Sequence, residues 1–185
     1  DQVAQRSGEF AQAFGMRPYG EWIGRLHDLG KALPKSQKRM RGEGGPVDHS
    51  TYGAQIVWGA REGEAPNKLL KLMAYPIAGH HAGLPNGGTS NDAANPDGAT
   101  LMSRMVKPCG SPECDAFAAS YPHERPSELP RSLHPIGKAG FSLAFWVRML
   151  YSCLVDADFL DTEAFMSDGA VKRAATPPIS SFEEP

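Results

Sequence analysis

Apolar residues recur at helical spacing from the first residues of the chain onward. Residues 1–16 place them on one face and predict an amphipathic helix. The Pro- and Gly-containing stretch 17–20 is expected to break this helix. A second short helix is predicted over 21–30, with Gly30 as its stop signal. His27 and Asp28 then fall in the last turn of that second helix.

The middle of the chain predicts two more helices. One opens after Asp48 or Ser50, either of which can serve as its N-cap. The next begins at Pro66, a residue favoured in the first turn, and should kink at Pro76. Its buried stripe runs to Ile77, and continuing the stripe by three and four residues leads to two adjacent histidines.

The last third of the chain alternates irregular and apolar stretches. Residues 84–98 predict a loop, 99–107 one or two helical turns, and 108–135 an irregular, Pro-rich surface insertion. Residues 139–160 are long and apolar enough for a membrane span, but three charged residues lie within them. We therefore expect a central helix of a helical domain and no membrane partner. With no convincing strand in the sequence, the predicted fold class is all-α.

Length, charge and cysteine content indicate the general class of protein but not its function. The length of 185 residues fits one domain, and the net charge of −2 gives no global case for nucleic-acid binding. Three cysteines argue against a disulfide framework and favour a reducing cytoplasm. No signal peptide is visible, and the chain begins without methionine inside a predicted helix, so we expect a further segment upstream.

Histidine and aspartate residues supply the candidate chemistry. Two adjacent histidines on an apolar stripe need polar partners if buried, and a metal ion satisfies both. The candidate ligands are His27, Asp28, His49, His80, His81 and one of Asp156 and Asp158. This set suits manganese, iron, cobalt or nickel. It exceeds what one tetrahedral zinc needs, so it favours two ions that share a carboxylate.

A run of basic residues follows the His-Asp pair. Lys31, Lys35, Lys38, Arg39 and Arg41 all lie within eleven residues. Such a run is usually a solvated helix face. Because the run comes directly after His27 and Asp28, the alternative interpretation is that these residues bind the phosphate backbone of a nucleic acid.

Four strings together resemble a known family. They are Leu26-His27-Asp28-Leu29-Gly30-Lys31, Asp48-His49-Ser50-Thr51-Tyr52-Gly53-Ala54, Ala78-Gly79-His80-His81-Ala82-Gly83-Leu84-Pro85 and Leu154-Val155-Asp156-Ala157-Asp158-Phe159-Leu160-Asp161-Thr162-Glu163. The chain resembles the HD nuclease domain of the CRISPR type I interference helicase-nuclease, within the HD phosphohydrolase superfamily. The string 156–163 is closest to the subtype I-C branch.

The resemblance implies an HD-domain helical bundle around a dinuclear metal site that cleaves single-stranded DNA in antiviral defence. By that analogy the ligands are His27, Asp28, His49, His80, His81 and Asp158, with Asp156 as the fallback for the last. Asp28 would bridge two divalent ions, for which magnesium is also possible. Lys31 would face the scissile phosphate, and Lys35, Lys38 and Arg39 would help to hold the strand. The implied partners are a helicase, in the same chain or a separate one, and an RNA-guided surveillance complex.

One departure from the family pattern concerns the first helix. The family has a further histidine there, and residues 1–16 contain none. We therefore expect a nuclease domain over 1–175 that is truncated at its N-terminus, with this histidine upstream of Asp1. If the histidine is absent, one ion binds weakly and activity is impaired. Residues 176–185 are interpreted as a linker toward the helicase.

Two other functions stay open at this point. The same metal site can serve a nucleotide phosphohydrolase, although no determinant for base and sugar is recognisable. A catalytically impaired, metal-stabilised interaction module is the other alternative. The histidines at positions 123 and 134 lie in the Pro-rich insertion and are interpreted as bystanders.

Overall fold

The computed structural model describes residues 2–59, 68–121, 124–126 and 139–167. Within these ranges the chain is helical and contains no strand, which confirms the all-α class. Several predictions lie outside the described residues: the helix start at Pro66, the two histidines of the insertion, and the linker 176–185.

The first two helices differ from the predicted boundaries. Helix α1 spans Gln2–Gln12 and α2 spans Arg17–Leu26. The stretch 17–20 therefore starts α2, because Pro18 needs no N–H partner in the first turn and has the backbone angle of a helix. Gly30 is not the stop either; it lies within a short 3₁₀ helix, Leu29–Ala32.

Helix α3 spans Pro34–Met40, and α4 spans Ser50–Trp58. The Asp48 carboxylate accepts the N–H of Thr51 at 3.1 Å and its hydroxyl at 2.7 Å, so of the two predicted caps Asp48 satisfies the free end of α4. Gly59 ends the helix in the left-handed conformation, with φ of 74°.

The helix predicted to kink at Pro76 is interrupted. Helix α5 spans Lys68–Leu72 and α6 spans Ala74–Gly79, with Met73 between them. Proline has no N–H to donate to the carbonyl four residues earlier, here that of Leu72, so the helix breaks one turn before it. The predicted disturbance is confirmed.

The region after α6 is more helical than its proline content indicated. A 3₁₀ turn, Asp92–Ala94, is followed by α7, Leu101–Val106, in line with the expected one or two turns. The prediction of an irregular stretch over 108–135 is wrong for α8, Pro112–Ser120. Ser111 caps α8 by accepting the N–H of Cys114, and Pro112 occupies its first turn.

Helix α9, Ala139–Met166, packs against α1, α2 and α6. Its buried face carries Leu150, Leu154 and Ala157, whereas Phe141 and Phe145 are more than half exposed. The prediction of a central helix is therefore wrong, because in the part of the chain that the structure describes the neighbouring helices cover α9 on one side only. None of the helices in the described ranges, α9 included, combines the length and hydrophobicity that crossing a membrane requires.

The core formed by α2, α4, α6 and α9 fixes the candidate ligands in space. Leu26 and Ile77 are fully buried, and each lies within three residues of a candidate histidine. Gly53 brings α4 close to α2, since a Cβ at this position would lie 2.1 Å from the carbonyl oxygen of Leu26.

A Gly53→Ala substitution should therefore destabilise the fold. The added methyl group meets backbone, which cannot rotate away, so we expect a loss of about 1–3 kcal/mol in the free energy of unfolding. Urea denaturation measures this loss. The matched control is Gly45→Ala, which meets no atom within 4 Å and should shift the free energy by less than about 0.5 kcal/mol. Equal stability of the two variants would contradict the packing described.

Candidate metal centre

The structure brings together candidate ligands from four distant segments. His27 and Asp28 follow α2, His49 precedes α4, His80 and His81 follow α6, and Asp158 lies on α9. Their side chains form two overlapping groups, in each of which the ligand atoms lie within 4.8 Å of one another. The groups are Asp28, His49, His80 and His81, and His27, His80 and Asp158. Asp156, the alternative to Asp158, is exposed and belongs to neither group.

Backbone carbonyls orient two of the imidazoles. Nδ1 of His27 lies 2.8 Å from the carbonyl oxygen of Gly24, and Nδ1 of His80 lies 2.7 Å from that of Ile77. A carbonyl only accepts, so each Nδ1 carries the proton and donates it. In the neutral ring the Nε2 lone pair is then free to bind a metal, which is the usual arrangement of a histidine ligand.

Three buried atoms of the centre have no hydrogen-bond partner within the described part of the chain. They are Nε2 of His27, Nε2 of His80 and Oδ1 of Asp28. Burying a polar atom without a partner costs about 1–3 kcal/mol, so native proteins rarely leave three together. All three residues belong to the two ligand groups, so cations bound there would satisfy these atoms. The residues present therefore fit a bound metal ion.

Asp28 faces both groups with its two oxygens. Oδ1 lies 3.2 Å from Nε2 of His49 and 3.7 Å from Nε2 of His80. Oδ2 lies 3.2 Å from Nε2 of His27 and also contacts the ammonium group of Lys31. Although burial opposes ionisation of Asp28, the electrostatic attraction of these three histidines outweighs it and holds the pKa of the carboxyl far below its usual range. The carboxylate is therefore a permanent negative charge at the middle of the centre.

His27 and Asp158 form the other side of the centre. Nε2 of His27 lies 3.6 Å from Oδ1 of Asp158. Burial lowers the pKa of His27, but Asp158 and Asp28 outweigh it and raise that pKa to about 9. The nearby imidazole of His27 in turn lowers the pKa of Asp158. The two carboxylates attract a proton or a metal ion to the same position, so metal binding competes with protonation here.

His81 completes the more exposed side of the centre. Its Nε2 lies 2.9 Å from Nε2 of His49. Partial burial and the neighbouring histidines 80 and 49 lower the pKa of His81. A lower pKa favours the neutral imidazole, which is the form that binds a metal.

Gly30 has a role that the sequence pattern did not reveal. A Cβ at Gly30 would lie 1.9 Å from the carbonyl oxygen of His49. Only a glycine lets the backbone of His49 approach the segment that follows Asp28. The sequence signal was present, since Gly30 follows the His-Asp pair closely, but it was interpreted as a helix stop.

Of the basic residues over 31–41, one lies at the candidate metal centre and the others lie outside it. Lys31 contacts Asp28 and is 47% exposed. Lys35, Lys38 and Arg39 are exposed on α3 and belong to neither ligand group. Lys35 lines an open cavity of about 610 Å³ with Asp48 and Lys107. Their role in holding a strand stays a prediction.

No protein-family model and no curated protein sequence matches the chain. The chemistry of this centre therefore rests on the distances, burial and charges above.

Asp158→Ala and Asp156→Ala test the centre as a matched pair. Both remove a carboxylate from the same turn of α9, but only Asp158 contacts His27. We expect Asp158→Ala to weaken Mn²⁺ binding at least about tenfold, because removing even an outer partner of a metal ligand costs about 10–100-fold. Asp156→Ala should leave the affinity unchanged. Isothermal titration calorimetry of the chelator-treated protein measures both, and equal effects would exclude Asp158 as a ligand.

Proposed function

We propose that this chain is an HD-type nuclease domain that cleaves single-stranded DNA with two divalent transition-metal ions. One observation carries the proposal: the Asp28 carboxylate lies between two sets of imidazoles and points one oxygen at each. A carboxylate placed in this way is suited to bridge two cations. The resemblance to the HD nuclease domain of CRISPR interference rests on the same residues and supports this interpretation.

The ligands divide between the two ions as follows. His49, His80, His81 and Asp28 would hold one ion. His27 and Asp158 would hold the other, with Asp28 shared between the two, and His80 also lies within reach of this second group. Imidazole and carboxylate donors together favour manganese, iron, cobalt or nickel, with magnesium less suited because it prefers oxygen ligands. When bound, a pair of such ions supplies an activated water and stabilises the attacking and leaving oxygens of a phosphodiester.

Lys31 supplies positive charge beside the centre. Its ammonium group contacts Asp28 while almost half of its side chain stays in solvent. A phosphate oxygen approaching from solvent can therefore reach it. Lys31 would stabilise the negative charge that gathers on the phosphate as the bond breaks.

The openness of the centre favours a polymer over a free nucleotide. His81 is exposed, and Asp28 and His49 are 25% and 20% exposed at their side chains. A strand can pass over such a surface, whereas a nucleotide phosphohydrolase needs a closed pocket for base and sugar. The exposed residues Lys35, Lys38 and Arg39 would hold the phosphate backbone without regard to sequence.

The cellular setting is proposed from the resemblance. A helicase, in the same chain or a separate one, would supply unwound DNA after recruitment by an RNA-guided surveillance complex. Cys109, Cys114 and Cys153 form no disulfide, which fits the reducing cytoplasm in which we place the protein.

Circular single-stranded DNA tests the proposed activity. With Mn²⁺, Co²⁺ or Ni²⁺ the protein should degrade it, and Asp28→Asn or His27→Ala should lower the rate at least about a hundredfold, since one lost group in a preorganised site costs about 10²–10³. Asp156→Asn is the control. It removes an exposed carboxylate that belongs to neither ligand group, so the cleavage rate should not change. Robust cleavage by Asp28→Asn would contradict the proposal.

The same assay separates the two alternative functions. Release of phosphate from deoxynucleoside triphosphates with no cleavage of DNA would identify a nucleotide phosphohydrolase. A rise in melting temperature with metal and no reaction on either substrate would identify a metal-stabilised interaction module.

Lys31→Met separates phosphate stabilisation from metal binding. The variant should cleave DNA about 10²–10³-fold more slowly, because it lacks the charge beside the phosphate. Its affinity for Mn²⁺ should not fall, since Lys31 is no ligand. Lys38→Met, on the exposed face of α3, is the control. A cleavage rate equal to that of the unmodified protein would exclude the proposed role of Lys31.

A further inference from the structure

Arg104, on α7, joins the segments that carry His49 and His80. Its guanidinium donates from Nη1 to the carbonyl oxygen of Ala78 and from Nη2 to the hydroxyl of Ser50, the latter at 3.4 Å. The same group lies 3.8 Å from the Asp48 carboxylate. Its side chain is only 20% exposed, so these contacts replace most of its hydration.

The contact with Ala78 fixes the end of α6. The last carbonyls of a helix lack partners within the helix and must find them elsewhere. Here the Ile77 carbonyl accepts from the His80 ring, the Ala78 carbonyl accepts from Arg104, and the Gly79 carbonyl accepts the N–H groups of residues 82 and 83. Arg104 thus holds the carbonyl next to the one that orients His80.

The contacts with Ser50 and Asp48 fix the start of α4 on either side of His49. Asp48 is held by Thr51 and by Lys107, whose Nζ lies 3.0 Å from Oδ2. His49 therefore projects from a backbone that is secured at both of its neighbours.

Arg104 is itself anchored, so it can act as a fixed spacer. The Nε2 of Gln55 donates to the backbone carbonyls of Arg104 and Lys107, at 2.8 Å in each case. These bonds attach the end of α7 to the middle of α4. His27 follows α2, Asp158 lies on α9, and neither side chain takes part in these contacts.

We propose that Arg104 is a positioning residue for one half of the metal centre. It sets the separation of His49 from His80 and His81, and so controls the ion held by these histidines and Asp28. The second group, His27, His80 and Asp158, shares only His80 with the first. The ring of His80 is held by the Ile77 carbonyl, not by Arg104 itself, so the ion of the second group should depend on Arg104 much less. The inference rests on the two-ion arrangement of the proposed function, and it requires no assumption about the substrate.

The test measures each ion separately. Asp158→Ala leaves the group of Asp28, His49, His80 and His81 intact, and His81→Ala leaves that of His27, His80 and Asp158 intact. Arg104→Met is then added to each background, and Mn²⁺ affinity is measured by calorimetry. We expect at least about tenfold weaker binding in the Asp158→Ala background, the usual cost of losing a residue that orients a ligand. In the His81→Ala background we expect less than a twofold change.

Further variants keep the test decisive. Arg104→Lys retains the charge but lacks the planar, forked donor geometry of the guanidinium, so it should recover only part of the affinity. Arg148→Met removes an exposed arginine of α9 and should change nothing. The visible spectrum of bound Co²⁺ should change with Arg104→Met in the Asp158→Ala background alone, a signature that general destabilisation would not produce.

Three outcomes would overturn the inference. Equal weakening in both backgrounds would show that Arg104 acts on the fold as a whole. Unchanged affinity in both would show that it does not position ligands. Absence of metal binding by the unmodified protein would remove the two-ion proposal and this inference with it, whereas metal binding without DNA cleavage would affect the nuclease proposal alone.

Discussion

The metal centre depends on one constraint: the partly buried Asp28 carboxylate must lie among three imidazoles. Asp28 contacts His27, His49 and His80, and three of the atoms involved have no hydrogen-bond partner in the described ranges. Each imidazole comes from a different segment, so the arrangement exists only if α2, α4 and α6 pack in one way. A bound cation would compensate the burial of these polar atoms and stabilise the same packing.

Close backbone contacts make that packing possible. At Gly53 the backbone of α4 approaches the carbonyl of Leu26, and at Gly30 the chain approaches the carbonyl of His49. The first contact brings α4, which follows His49, toward α2, which precedes His27. The second places His49 beside Asp28. Side chains at these two positions would push the ligands apart, so the geometry of the centre depends on residues that bind nothing.

Rules for capping residues and prolines correctly predicted where two helices begin or break. Asp48 caps α4 and Pro76 interrupts its helix, because both effects act within one helical turn. The same rules failed where two signals compete. The stretch 17–20 was expected to break a helix and the stretch 108–135 to be irregular, yet Pro18 and Pro112 each lie in the first turn of a helix. Proline both ends and begins helices, and its effect depends on whether a capping residue or turn precedes it.

The sequence by itself determined the chemical types of the candidate ligands and the order in which they occur. It did not distinguish Asp156 from Asp158, because both lie at the end of one apolar segment. The packing of α9 on α1, α2 and α6 decided between them, turning Asp158 toward His27 and Asp156 toward solvent. Nor did it indicate Arg104, whose partners Ser50 and Ala78 lie 54 and 26 residues away. Contacts between residues so far apart leave no local pattern, so only the tertiary structure decided them.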